Sequence, residues 1–172
     1  MSKGGAMRAS EIQLLYDYNY WANALILRTA KAAGEKVFLA PAAVSYGSLR
    51  GTLVHILAVE WLWRVRCQEG LSPASMPPAQ DFPTLAVLVD RWQEEEQKMR
   101  AYLKSLNDDD LDRGITYTNT QGSRFTNPLW QLLVHLVNHG TQTRSEAGVV
   151  LTQAGFSPGN QDFNIFLREQ KR

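Results

Sequence analysis

The chain has 172 residues, 44% of them hydrophobic, and a formal net charge of +1. That length allows a sizeable core, and that charge gives no basic footprint for nucleic acid. No apolar run reaches the roughly 18 residues of a membrane span, and the single cysteine, Cys67, cannot form an internal disulfide, which suits a reducing cytoplasm.

Residues 1–9 lack the apolar stretch of a secretory signal and are expected to form a flexible lead-in. Residues 10–172 are expected to form a single domain. The first helix is predicted from Ser10, as N-cap, to Ala33, with Gly34 as its stop. Ile12, Leu15, Tyr18, Ala22 and Leu25 repeat at helical spacing along it. Residues 35–47 contain Pro41 and Gly47 and read as a loop.

A second helix is predicted from near Ser48 to just before Gly70. Leu49, Leu53, Ile56, Leu57, Val59, Leu62 and Val65 cover most of its circumference, so it should be central. Residues 71–83 hold four of the seven prolines and read as a loop. Thr84 is the expected cap of a third helix running to about Leu106. Leu85, Leu88, Trp92, Met99, Leu103 and Leu106 mark its buried side. Glu94, Glu95, Glu96, Lys98 and Arg100 read as a solvated face.

Residues 107–112 read as a turn, and residues 115–127 as a small β-hairpin around Gly122. Asn127 and Pro128 are the expected N-cap and first residue of a fourth long helix, ending near Ala154 with Gly155 just beyond. In the polar tail, Phe163, Ile165 and Phe166 should pack a short terminal element onto the rest. The fold class predicted is all-α: a four-helix bundle with a small β-hairpin insertion before the last long helix. Spacing leaves up-down-up-down and crossover topologies open.

All three histidines fall on the apolar helices. His135 and His139 are four apart and stack on one helical face. A second helix can bring His55 to the same point, and imidazoles converging inside a bundle suggest a metal site. A histidine on an apolar helix is also, ordinarily, a hydrogen-bonded core residue. Glu60 follows His55 by five residues, about 140° round the helix, which places it away from any site His55 shares. Asn19 and Asn23 share a face and read as hydrogen-bonded structural residues. Tyr18, Trp21, Trp61 and Trp63 read as core or pocket wall, and Cys67 as a thiol without a role. No Gly-rich phosphate loop, CxxC pair or Ser/His/Asp set is present.

Four segments together carry a family resemblance. They are YNYWAN (18–23), GSLRGTLVHILAVEWLW (47–63), NPLWQLLVHLVNHGTQTRSEAGVVL (127–151) and GFSPGNQDFNIFLRE (155–169). Over nearly its whole length the chain resembles the DinB/YfiT-like superfamily of four-helix-bundle metalloenzymes. In relatives the last long helix carries N-H-x-x-x-H-R. Those two histidines join one from the second helix around a divalent metal.

The resemblance implies His55 and His139 as ligands and Arg144 as the arginine that follows the motif. The third ligand position is Thr143, and Ser145 and Glu146 replace the commoner Gly-Gln. A threonine hydroxyl is a poor metal ligand beside imidazole. His135, one turn before His139, offers a displaced three-histidine site with His55 and His139. Glu146, about two turns beyond His139, offers a carboxylate instead. By resemblance the metal is zinc or nickel, weakly held or absent because of Thr143. The implied activity is that of a thiol-dependent transferase or hydrolase acting on a small molecule, with a low-molecular-weight thiol, in a cytoplasmic homodimer. The competing reading is a non-catalytic, binding or dimer-forming bundle that has lost its metal.

Overall fold

A computed structural model describes residues 7–119 and 121–170. Most of the expected lead-in, residues 1–6, lies outside them. Six helices and one hairpin follow in order: α1 (Ala9–Ala33), α2 (Glu35–Leu39), α3 (Leu49–Arg64), α4 (Leu85–Lys104), β1 (Gly114–Thr118), β2 (Arg124–Pro128), α5 (Leu129–Gln153) and α6 (Phe163–Glu169). This is the predicted all-α architecture with a hairpin before the last long helix.

Local chemistry explains most boundaries. Ser48 Oγ accepts from Gly51 N at 2.9 Å and Thr84 Oγ1 from Val87 N at 3.3 Å. Each such cap is worth about 1 kcal/mol. Beyond Gln153, Gly155 adopts φ +89°, and Phe156 N bonds back to Leu151 O at 2.9 Å. With Gly155 N on Thr152 O, this closes α5 in a Schellman turn. α3 runs on through a π-helical turn, Val65–Glu69, to Gly70.

Two caps differ from expectation. α1 begins one residue before Ser10, with Arg8 as N-cap. Carboxylates supply the acceptors there: Glu11 takes Arg8 N at 2.9 Å and Asp108 takes Ala9 N at 2.8 Å. Asn127 does not cap α5. It pairs with Ile115 in the antiparallel ladder, and Leu129 N bonds Arg113 O at 2.9 Å, so the hairpin claims the backbone ahead of the helix. The segment read as loop over 35–47 also opens with α2, whose Phe38 is fully buried.

Side-chain contacts fix the topology. α1 packs on α4 and α5, and α3 packs on the same two. Glu60 meets Trp92, and Arg64 meets Glu95, so α3 and α4 run parallel. His55 meets His139 while the loop before α3 meets Glu146, so α3 and α5 run antiparallel. The bundle is therefore up-down-down-up. The proline-rich segment after Gly70 carries the chain back along its length to start α4.

The core falls into two apolar clusters. One gathers Tyr16, Val59, Met99 and Leu133, with Phe166 of α6 against it. The other gathers Ile26, Leu53, Leu88 and Leu151. On α4 between Trp92 and Met99, and on α5 between Val137 and Ala147, the residues separating these clusters are polar or glycine, and the candidate site lies beside them.

Candidate functional site

His55 on α3 and His139 on α5 face each other with their Nε2 atoms 3.1 Å apart. The loop before α3 folds over them. Tyr46 stacks on His55, with ring centroids 3.9 Å apart and planes 18° from parallel. Gly51, in the first turn of α3, makes room for that loop, because a Cβ there would lie 2.1 Å from the Tyr46 carbonyl oxygen. Burial, then the neighbouring His139, push His55 down to about 4, against a pull from Glu146. Burial also lowers His139 and His135. The pair is neutral at pH 7, and one Nε2–H donates to the other Nε2.

The remaining candidate ligands point elsewhere. The His135 ring packs edge-on against Trp63, centroids 5.3 Å apart, and lies 6.2 Å from the His139 ring. Thr143 is buried, and its Oγ1 donates to His139 O at 3.0 Å, one turn back on α5. Glu146 accepts from Ser45 N at 2.8 Å and from Ser45 Oγ at 2.6 Å, which pins the covering loop to α5.

Below the histidines lies a buried polar network. Glu60 Oε1 accepts from Asn19 Nδ2 at 2.8 Å and Asn23 Nδ2 at 2.9 Å, and Oε2 accepts from Trp92 Nε1 at 3.0 Å. The guanidinium of Arg144 donates to Asn19 Oδ1, to Asn23 Oδ1 at 2.9 Å and to Thr141 Oγ1 at 3.1 Å. Glu60 and Arg144 are each 2% exposed. Burial raises Glu60 to about 7, against the pull of the two asparagines, Arg144 and Trp92. Burial likewise lowers Arg144. The two asparagines each bind both charges, so four helices are tied through one polar layer.

Asn19 and Asn23 have the structural role expected of them, and Glu60 stands apart from the histidine pair. Spacing does not show that Glu60 and Arg144 meet through the asparagines. A signal for it is present: two charges embedded in helices that are otherwise apolar at those positions. The solvated face assigned to α4 needs a correction at Glu95, which is 0% exposed and paired with Arg64. The run Glu94–Glu96 spans most of a helical turn, so its middle member faces inward. Cys67 is buried, and its thiol is pushed up to about 12, which leaves it inert at neutral pH.

The model of the DinB family matches residues 1–172. The chain belongs to the DinB family. A curated relative, Protein DinB of Bacillus subtilis (strain 168), is 23% identical over 159 residues, covering 89% of this chain and 91% of that protein.

A divalent metal of the kind the family resemblance implies can be tested against these residues. Two imidazole nitrogens 3.1 Å apart can sit on one ion at about 2.1 Å each. The rest of the set does not fit. Among the described residues no three His, Cys, Asp or Glu side chains converge to hold an ion. Thr143 offers only a neutral hydroxyl, a poor metal ligand beside imidazole. A ligating histidine also donates its other N–H to an acceptor, whereas His139 Nδ1 is buried without a partner. Of the three ligands that the resemblance implies, these residues offer two imidazoles, and one of those lacks the acceptor that would orient it.

Proposed function

We propose that this DinB-family chain is a helical-bundle binding protein without a resident three-ligand metal, rather than a thiol-dependent metalloenzyme. Thr143 carries the reading. It stands at the third ligand position that the resemblance implies, where a neutral hydroxyl is a poor metal ligand beside imidazole. The unpartnered His139 Nδ1 and the engagement of Glu146 with Ser45 support it. His55 and His139 then act as a neutral hydrogen-bonded pair joining α3 to α5 beneath Tyr46. A homodimer and a cytoplasmic location belong to the same proposal. The partly exposed Trp21, Trp61 and Trp130 support the first, since such residues anchor interfaces, and the lone cysteine the second. No described helix is long and apolar enough to cross a membrane.

One observation favours a second reading, a metal-dependent transferase or hydrolase. The 3.1 Å approach of the two Nε2 atoms is also what two ligands of one ion have. In that reading His55 and His139 hold zinc or nickel loosely, and a low-molecular-weight thiol is the co-substrate. Elemental analysis of protein purified without a metal-affinity step separates the two. The proposal expects metal far below one equivalent per chain. A full equivalent surviving gel filtration contradicts it.

A further inference from the structure

Residues 40–47 fold over the histidine pair, and most of them face solvent: Pro41, Ala43, Ser45, Tyr46 and Gly47 are exposed. They are joined chiefly to one another. Ala42 N donates to Gly47 O and Gly47 N to Val44 O, each at 2.9 Å, and Pro41 bridges to Ser48. A compact loop closed by its own hydrogen bonds can move as one piece. The fully buried Phe38 anchors the chain before it, and Ser48, the cap of α3, anchors the chain after it.

Few contacts hold this loop down on the bundle. Ala42 and Val44 pack against the second apolar cluster but are only partly buried. Tyr46 stacks on His55 and is still 40% exposed. The specific attachment is Glu146, whose Oε2 accepts from Ser45 N and whose Oε1 accepts from Ser45 Oγ. Hydrogen bonds to a carboxylate are stronger than neutral ones, and both of these lie at the surface, where water can replace them. α3 is fitted to the closed position. A Cβ at residue 51 would lie 2.1 Å from the Tyr46 carbonyl oxygen, so only glycine lets the loop settle there.

We propose that residues 40–47 form a flap that opens and closes over His55 and His139, with the contact between Glu146 and Ser45 as its latch. Closed, the flap holds the Tyr46 ring against one face of the His55 imidazole. Open, it takes Tyr46 away and leaves the pair accessible to a solute. The latch lies on α5 outside the pair, so access to the histidines is governed by residues that do not touch what enters. This gating is the same whether or not the pair takes a metal.

The test is modification of the full chain by diethyl pyrocarbonate, which acylates accessible imidazoles, followed histidine by histidine with tandem mass spectrometry. EDTA is present throughout, so that a bound ion cannot mimic a closed flap. His135 is exposed and packs on Trp63, away from the flap, and serves as the internal standard. His55, only partly exposed, should react more slowly than His135 in the natural chain. Glu146→Ala removes both latch bonds. It should raise the His55 rate about tenfold or more, since losing one charge-assisted hydrogen bond shifts an opening equilibrium by about that factor. Gly51→Ala keeps the latch residues but places a Cβ where the loop closes, and should raise the rate likewise. Ser45→Ala alters one exposed loop side chain, keeps the Ser45 N bond and should raise the rate severalfold, which covers the case of a Glu146→Ala chain that does not fold. The His135 rate should stay unchanged in each variant. Equal rates at His55 and His135 in the natural chain, an unchanged His55 rate in any folded variant, or a rise at His135 as large as that at His55 overturns the proposal.

Discussion

At the scale of the residue, Glu60 and His55 give opposite pH dependences. Glu60 has its carboxyl raised from 4.5 to about 7, chiefly by burial. Its contribution to stability is complete below about pH 4.5 and is lost as pH rises through about 7. His55 is lowered from 6.5 to about 4, chiefly by burial. Its neutral form suits the fold, so stability is lost as pH falls from about 6.5 toward 4. Urea midpoints between pH 4 and 8 should show the acid limb flatten in His55→Asn and the neutral limb flatten in Glu60→Gln. Unchanged profiles in both variants contradict these assignments.

At the scale of the element, close approach decides what a helix tolerates. Gly140 lies inside α5, where Gly→Ala ordinarily stabilises by about 1 kcal/mol. Here a Cβ would lie 2.8 Å from Asn19 Oδ1 and 2.9 Å from an Arg144 guanidinium nitrogen. Gly140→Ala should therefore destabilise, by about 1–3 kcal/mol in chemical denaturation. Stabilisation would show that the polar layer can shift aside. The apolar spacing of the long helices, the Ser48 and Thr84 caps and the hairpin were all legible in the chain, because each is a local signal. The start of α5 was not, since Asn127 has equal claims as a cap and as a strand residue, and the ladder partner Ile115 decides between them. Glu95 is not legible as buried, because three successive glutamates look alike until Arg64 arrives from another helix. Facing of His55 and His139 was expected and is found. The placing of His135 against Trp63 and of Glu146 on Ser45 depends on side-chain direction, which spacing does not contain.

At the scale of the whole molecule, buried Asn19, Asn23, Glu60, Trp92 and Arg144 tie the four long helices together, and the histidine pair joins α3 to α5. A stable homodimer, as proposed, should keep its dimer mass in light scattering at about 10 µM. A monomer mass there rejects it. The central claim is that Thr143 leaves the site one ligand short. Calorimetric zinc titration of the natural chain and of Thr143→His tests it most directly. Histidine at 143 stacks with His139 on one face of α5 and completes three imidazoles with His55. The account predicts weak binding or none in the natural chain, and affinity higher by about two orders of magnitude or more in the variant. Tight stoichiometric binding by the natural chain, unchanged in the variant, would contradict it.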